Sequence, residues 1–332
     1  MKILYSLFLA CALSQAQKPF VIDRTIPLNS VSGKFDHLAI DTVRERLFVA
    51  ATGNHSVEVV NLKTNKIEQS ISGLGKPHGL VWVDASSSLY VADGALAELR
   101  VYKGNPLALA ATIKLSDDAD DMVYDQAHHL LFVGHGTGEE AAPAKIAVVD
   151  TEHFTLVANL AVSSHPEALE IDANSNRVFA NIAGSSEVAI IDTATRTITA
   201  LWKMNKVADN VPLAFDEKHQ LLYVACREPG TVLALDASSG KEIARQSAAG
   251  GVDDLFYDAT LSRIYLISGE GEVDSYRLDE SKSLHELDVL HTAASAKTGL
   301  FVPSQHRLYI AVPGAAGHAE IRVFATTPAE GK

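Results

Sequence analysis

Apolar and polar residues alternate in short runs along almost the whole chain. Runs such as "VEVVNLKT" (57–64), "VAIIDTAT" (188–195) and "VLALDASSG" (232–240) end at turns rich in Asp, Asn, Gly and Ser. A period of two over runs this short is typical of antiparallel strands with at least one buried face. The pattern therefore predicts an all-β protein.

A pair of residues with an aromatic second member, "LF", "LY", "VF" or "IY", recurs at regular distances. The aromatic members are Phe48, Tyr90, Phe132, Phe179, Tyr223, Tyr265 and Tyr309. Successive aromatics are 42 to 47 residues apart, which is the length of a four-stranded propeller blade. One blade cannot cover both faces of its own sheet, so blades pack against one another in a ring. The repeats predict a seven-bladed β-propeller of four-stranded antiparallel blades, with these aromatics buried between blades.

The two ends of the repeat region predict how the ring closes. Residues 19–28, "PFVIDRTIPL", precede the first complete unit and have the pattern of an outermost strand. The last unit stops after "EIRVFATT" (320–327), one strand short of the others. We therefore expect residues 22–28 to pair as the outer strand of the blade that contains Tyr309, so that no sheet edge stays open between the two ends.

Most units also carry an acid seven residues before the aromatic. These acids are Asp41, Asp125, Asp172, Asp216 and Asp258. Asp side chains in tight turns accept hydrogen bonds from nearby backbone N–H groups, so we expect a structural role for this set. Asp84 is only six residues before Tyr90, which indicates a shorter turn in the second unit and the chance of a one-residue slip there.

The second unit carries the clearest resemblance to a known family. Its sequence "KPHGLVWVDASSSLYVAD" (76–93) resembles the core phrase of the YVTN family of seven-bladed propellers, which includes the YncE-like extracytoplasmic proteins. The resemblance covers about residues 20–325. It implies the propeller fold but no particular chemistry, since propellers host many functions.

The amino-terminal residues have the pattern of a secretory signal. Lys2 precedes an apolar stretch that is too short to span a bilayer, and residues 14–16 supply a small-x-small cleavage site. We expect residues 1–16 to be a signal peptide and residues 17–332 to form one propeller domain in the periplasm or outside the cell. A lipoprotein anchored through Cys11 is the alternative, and it fits the sequence less well.

Composition limits the partners. The formal net charge of −13 at pH 7 argues against nucleic acid, whose phosphates need a basic face. After the signal, no segment is long and apolar enough to cross a membrane. Removal of the signal leaves Cys226 as the single cysteine, for which we predict a buried, unreactive thiol. We expect a monomer that binds a small molecule or a partner protein.

The entrance to the innermost strand of most units carries an ionisable residue. With the strands of a blade labelled a to d outward, strand a lines the central channel, and the residue twelve positions before each aromatic lies at its entrance. These positions, the collar, are Asp36, His78, Asp120, Glu167, Val211, Asp253 and Lys297. Six of the seven are ionisable, although only 21% of all residues are charged. The loops from b to c reach the same face and add further polar groups.

We therefore predict a ligand-binding site at the mouth of the channel. Its residues are Asp36, His37, His78, Asp93, Asp120, Asp121, His135, Glu167, Arg227, Asp253, Asp254 and Lys297. Polar residues at such a mouth are only solvated or hydrogen-bonded in many propellers, and this alternative stays open for each of them.

Part of the collar has the composition of a metal site. Asp36, His78, Asp120 and Glu167 come from consecutive blades, and only neighbouring blades can share one ion. Carboxylates favour Ca²⁺, Mg²⁺ or Mn²⁺, while an imidazole shifts the preference toward Mn²⁺ or Zn²⁺. A divalent cation is thus the one cofactor that the sequence indicates, since it contains no motif for covalent haem or for a dinucleotide.

Three function hypotheses of different class follow from these observations. The first is an exported propeller that binds a small ligand or a partner protein at the channel-mouth face. The second is a metal-dependent hydrolase or lactonase, with Asp253 as general base and Lys297 or Arg227 polarising a carbonyl. The third is a subunit similar to the propeller chain of amine dehydrogenases, which requires a partner that carries the cofactor. Whether the protein is an enzyme stays open.

Overall fold

Seven antiparallel sheets of four strands make up the part of the chain that the structure describes. In the computed structural model this part comprises residues 20–138, 142–314 and 318–326. The predicted all-β, seven-bladed propeller is confirmed. The predicted signal peptide, its cleavage site and Cys11 lie outside the described residues.

The regular elements of the described ranges are strands and short 3-10 turns. The strands of blades 1 to 3, preceded by β1, are β1 Phe20–Pro27, β2 Leu38–Asp41, β3 Arg46–Ala51, β4 Ser56–Asn61, β5 Lys66–Ile71, β6 Pro77–Val83, β7 Ser88–Asp93, β8 Glu98–Lys103, β9 Ala108–Lys114, β10 Met122–Asp125, β11 Leu130–His135, β12 Lys145–Asp150 and β13 Thr155–Ala161. The remaining strands are β14 Pro166–Asp172, β15 Arg177–Ile182, β16 Glu187–Asp192, β17 Thr197–Lys203, β18 Ala208–Asp216, β19 Leu221–Glu228, β20 Gly230–Asp236, β21 Glu242–Ser247, β22 Val252–Asp258, β23 Arg263–Ser268, β24 Glu272–Leu278, β25 Leu284–His291, β26 Gly299–Val302, β27 Arg307–Val312 and β28 Glu320–Thr326. The 3-10 turns are Thr52–Asn54, Asp84–Ser86, Ala173–Ser175, Ala183–Ser185 and Pro303–Gln305. No helix in these ranges has the length and apolar character needed to span a membrane.

Each of the first six blades is a meander of four consecutive strands. In blade 1, for example, β2, β3, β4 and β5 pair in that order. The inner strands of neighbouring blades contact each other around the whole channel, and β26 of the last blade contacts β2 of the first. The ring is therefore closed at the channel as well as at its outer edge.

The amino-terminal strand completes the last blade, as predicted. β1 pairs antiparallel with β28, so this sheet has the order β1-β28-β27-β26 and contains Tyr309. Ile26 of β1 lies opposite Ile321, and both side chains are fully buried. Ile22 in the same strand is 57% exposed. One end of the chain thus supplies the outer strand for the blade that the other end builds.

The pairing of strands a and b has one register in all seven blades. Phe48 pairs with Ala39, nine residues earlier, and each of the other six aromatics pairs with the residue nine positions before it. All seven aromatics are at most 2% exposed. Phe48 packs against Leu80 of the next blade and stacks on Trp82, with ring centroids 5.2 Å apart. The predicted burial of the aromatics between blades is confirmed.

The repeated acids bond to the turns between strands a and b. Asp41 accepts a hydrogen bond from the backbone N–H of Arg44 (2.9 Å). The same kind of bond is made by Asp125, Asp172, Asp216 and Asp258. The predicted shorter turn in blade 2 is wrong, because the register there equals that of the other blades. Val83 occupies the position of the acid, and Asp84 lies inside the 3-10 turn that follows.

Replacing Ile26 by Ala is expected to destabilise the protein by about 2–5 kcal/mol, because it empties a fully buried position in the strand that closes the ring. Ile22→Ala, at an exposed position of the same strand, is the matched control and is expected to cost less than about 1 kcal/mol. Urea unfolding followed by tryptophan fluorescence measures both. Equal losses in the two variants would contradict the role of β1.

The thiol of Cys226 is expected to be unreactive in the folded protein. Its side chain is fully buried in an apolar cluster of blades 4 and 5, and burial raises the pKa of the thiol to about 12. A chromogenic disulfide reagent at pH 8 should therefore label it only after addition of denaturant. Stoichiometric labelling within minutes under native conditions would overturn this prediction.

Candidate functional site

The seven collar positions meet at one end of the central channel. They surround a cavity of about 180 Å³. Its lining residues are Asp36, His37, His78, Asp120, Asp121, Glu167, Ala168, Val211, Arg227, Asp253 and Lys297. Strands a and b share one register in every blade. The collar residue, three positions before the strand-a partner of each aromatic, therefore lies at the same height along the channel in all blades. Val211 is the one apolar member of the collar.

Two consecutive residues of one strand entrance reach the cavity because the backbone is bulged there. The N–H of Asp36 donates to the carbonyl of Ala50 (2.9 Å), and the N–H of Ala50 donates to the carbonyl of His37 (3.1 Å). Asp120 and Asp121 in blade 3 oppose a single residue in the same way. Two residues facing one form a β-bulge, which interrupts the alternation of side-chain directions.

One side of the cavity, contributed by blades 1 to 4, is built from carboxyl and imidazole groups. This acid–imidazole half consists of the lining residues Asp36, His37, His78, Asp120 and Glu167, together with His165, which lies beside Asp120 but does not line the cavity itself. His78 Nδ1 lies 2.5 Å from Asp36 Oδ2. His37 Nε2 lies 3.6 Å from Asp36 Oδ1 and 3.8 Å from Asp120 Oδ1. His165 Nε2 lies 3.6 Å from the other carboxyl oxygen of Asp120, Oδ2.

Crowding of these groups shifts their pKa values in opposite directions. Burial lowers the pKa of His37, but the surrounding aspartates outweigh burial and raise it to about 10. The same balance raises the pKa of His165 to about 9, with Asp120 as the main partner. Burial acts to raise the pKa of Asp120, yet the neighbouring imidazoles hold it well below its usual range. Burial and the charge of Asp120 raise the pKa of Glu167 to about 7.

The opposite side of the cavity carries the permanent positive charges. In this cationic half, formed by Arg227, Asp253 and Lys297, Lys297 Nζ lies 2.6 Å from Asp253 Oδ2. Arg227 bonds to the other oxygen of Asp253 and donates from Nε to the carbonyl of Val252 (2.9 Å). Two cations that share one carboxylate leave positive charge for an anionic ligand. They also occupy both oxygens of Asp253, which argues against its proposed role as a general base.

A second cavity of about 190 Å³ lies next to the mouth, shares His37, Asp121 and Ala168 with it and contains two more acids, Glu170 and Asp254. Asp121 accepts a hydrogen bond from the N–H of Leu169 (2.9 Å), and Asp254 accepts one from the N–H of Gly299 (2.7 Å). Each of these bonds links one blade to the next. Burial raises the pKa of Asp254 and of Glu170 to about 7.

Two predicted binding residues lie outside the mouth cavity. Asp93 is fully buried and accepts hydrogen bonds from the backbone N–H groups of Gly75 and Lys76 (both 2.8 Å). His135 is fully buried and bonds through Nδ1 to the backbone of Ser116 and through Nε2 to Asn159. Their placement at the mouth is therefore corrected. Both lie at the end of strand b. There the backbone N–H groups of an adjacent loop are not paired within a sheet and need a hydrogen-bond acceptor.

Sequence analysis missed His165, whose ring lies in the acid–imidazole half. It lies two residues before the collar residue Glu167, in the segment "HPE". The collar contains only one position of each blade and therefore does not include it. His37 and Asp121 show that residues next to the collar reach the cavity too. A search for ionisable residues within two positions of the collar would have found His165. No comparable signal marks Glu170, because it lies within strand β14.

Comparisons with known proteins identify the fold and no family. No family model and no curated protein matches the sequence. Among solved structures, a chain of Kuenenia stuttgartiensis hydrazine synthase superposes with a TM-score of 0.79 at 15% identity, covering 90% of this chain and 97% of that one. A chain of the mitotic checkpoint complex gives 0.76 at 15% identity, with 97% and 98% covered. The structure of U3-55K gives 0.75 at 12% identity, with 90% and 97% covered.

These likenesses support a seven-bladed propeller and go no further. Identities of 12–15% are too low to carry a function from one propeller to another. The finer resemblance to the YVTN and YncE-like proteins stays a prediction. The function has to be argued from the site itself.

Replacing Glu170 by Gln is expected to stabilise the metal-free protein at pH 8.5 and to leave it unchanged at pH 4. The folded-state pKa of Glu170 is raised to about 7, so stability falls as pH rises from the unfolded value of about 4.3. The gain at pH 8.5 should be roughly 1–3 kcal/mol. Thermal unfolding in EDTA measures it, and an equal gain at both pH values would contradict the assigned cause.

Proposed function

We propose that the protein binds a small anionic ligand at the channel mouth, with a divalent cation held in the acid–imidazole half. The observation that carries this proposal is the approach of three ligand atoms, from Asp36, His37 and Asp120, to within 4.8 Å of one another. A carboxylate, imidazole and carboxylate set at this spacing suits Mn²⁺ or Zn²⁺ better than Ca²⁺ or Mg²⁺. Relative to the set predicted from sequence, this group contains His37 in place of His78 and does not include Glu167.

The carboxyl groups of the cavity support a cation. Five carboxyl groups line it against two permanently charged cations, Arg227 and Lys297. Asp120 Oδ1 is buried and accepts no hydrogen bond from any described residue. A buried carboxylate oxygen without a hydrogen bond is costly. A divalent cation that displaces the protons of His37 and His165 would supply the missing interaction.

The cationic half supports an anionic ligand. Arg227 and Lys297 line the same small cavity as the carboxyl and imidazole groups. A carboxylate or phosphate oxygen can then contact the cation on one side and Lys297 or Arg227 on the other. The volume of about 180 Å³ limits the ligand to a small molecule or to the charged end of a larger one.

A metal-dependent hydrolase is the second candidate, and the arrangement of the two halves favours it over an enzyme of another kind. A carbonyl placed between a divalent cation and Lys297 is polarised from both sides. The predicted export and the monomeric state belong to the proposal as well, in which an exported chain displays the cavity to small solutes outside the cytoplasm. A lactone and ester panel assayed with and without Mn²⁺ distinguishes the two candidates, since cation-dependent turnover would support the hydrolase.

Asp36→Asn is expected to weaken Mn²⁺ binding at least tenfold, because it removes a charged ligand from the proposed cation site. The test uses isothermal titration of residues 17–332 after treatment with EDTA. Glu270→Gln is the matched control, since Glu270 is exposed on the same face and does not line the cavity. Bound Mn²⁺ should also raise the melting temperature of the wild-type protein. Absence of Mn²⁺ and Zn²⁺ binding at millimolar concentration would refute the proposal.

A further inference from the structure

We infer that the channel mouth is built for two divalent cations, bridged by the carboxyl group of Asp120. This inference rests on the proposed function and specifies the metal centre on which that function depends. The first ion would be held by Asp36, His37 and Asp120, and the second by Asp120, His165 and Glu167. In each set the three ligand atoms lie within 4.8 Å of one another.

The two oxygens of Asp120 face different sets of ligands. Oδ1 lies 3.8 Å from His37 Nε2 and 3.7 Å from His78 Nδ1. Oδ2 lies 3.6 Å from His165 Nε2. A carboxylate that offers one oxygen to each of two sites is a bridging ligand, and bridged ions in two-metal sites lie about 3.5–4 Å apart. The ligand atoms come from the strand entrances of blades 1, 3 and 4, so the first set joins two blades that are not neighbours, contrary to the expectation from sequence.

The imidazoles are oriented as metal ligands are. The other ring nitrogen of His165, Nδ1, donates to the backbone carbonyl of Gly136 (2.9 Å), which leaves Nε2 facing Asp120 Oδ2, where it would exchange its proton for an ion. His37 turns Nδ1 toward Asp254 Oδ1 (3.7 Å) and Nε2 toward Asp36 and Asp120. A ring N–H facing a carbonyl or carboxylate outside the centre is the usual support for a metal-bound His. This orientation is independent of the clustering of acids.

His78 supports the same centre from outside. Its side chain is 9% exposed, and its Nδ1 lies 2.5 Å from Asp36 Oδ2. The remaining oxygen of Asp36, Oδ1, is the one nearest to His37. A hydrogen bond to the outer oxygen of a ligating carboxylate fixes its direction. His78, predicted from sequence as a ligand, is therefore assigned as a positioning residue.

The class of ligand follows from the coordination positions that the protein leaves open on each ion. Each ion receives three protein ligands, so positions remain for oxygen atoms from the ligand or from water. A carboxylate or phosphate group could contact both ions with its two oxygens, as the Asp120 carboxylate does. Arg227 and Lys297 line the same cavity and would neutralise the rest of such a group. The site is thus suited to oxyanions rather than to neutral or cationic molecules.

The test is the number and the magnetic coupling of bound Mn²⁺ ions. Mature protein, residues 17–332, is stripped with EDTA, loaded with Mn²⁺ and freed of excess ion by gel filtration. We expect two ions per chain by elemental analysis and an exchange-coupled signal in electron paramagnetic resonance. His165→Asn should reduce the content to one ion per chain and give the uncoupled six-line spectrum, while Glu270→Gln should behave as the wild type.

The outcomes separate this inference from the proposed function. One ion per wild-type chain, with an uncoupled spectrum, would overturn the two-cation centre and leave the single cation site standing. No bound ion would overturn both. Two uncoupled ions that His165→Asn retains would place the second ion elsewhere and would also refute the bridge. Because the coupling is measured in the wild-type protein, the result does not depend on whether the variant folds.

Discussion

The packing of one aromatic side chain from each blade against the next blade is the interaction on which the rest of this molecule depends. A four-stranded sheet cannot bury both of its faces, and the seven aromatics supply the bulk that fills the space between sheets. Each is locked opposite the residue nine positions before it. Since all blades share this register, the residue three positions before the strand-a member of each pair lies at the same end of the channel.

The ionisable groups gathered at the channel mouth lower the stability that the packing between blades provides. Carboxyl groups of the second cavity are buried or partly buried, and removal from water raises the pKa of Glu170 and Asp254 to about 7. Some of the cost is offset by hydrogen bonds from one blade to the next, such as those of Asp121 with Leu169 and Asp254 with Gly299. Bulges at the strand entrances add His37, Asp121 and Ala168 to the collar residues that line the cavity. The rigid ring holds together charges that would separate in a flexible loop.

Much of the fold and part of the candidate site could be predicted from the sequence. The repeat of the aromatics predicts the blades, and the missing last strand predicts the closure by β1, because both are periodic signals. The collar follows from that period and register. His165 was missed because it lies two positions before the collar residue of its blade, and the approach of its ring to Asp120 depends on the course of the backbone at the strand entrance. Asp93 and His135 lie outside the mouth cavity because each bonds to the backbone of a neighbouring loop, and sequence does not tell whether a polar loop residue makes such a bond or turns toward the mouth.

The central claim is that a repeated register has assembled a metal-ligand set at the channel mouth. Crystals of residues 17–332 soaked in Mn²⁺ and measured near the manganese absorption edge test it most directly. The account predicts anomalous density between Asp36, His37 and Asp120, with a second peak beside His165 and Glu167 about 3.5–4 Å away. Anomalous density confined to surface acids, with none at the mouth under saturating Mn²⁺, would contradict it.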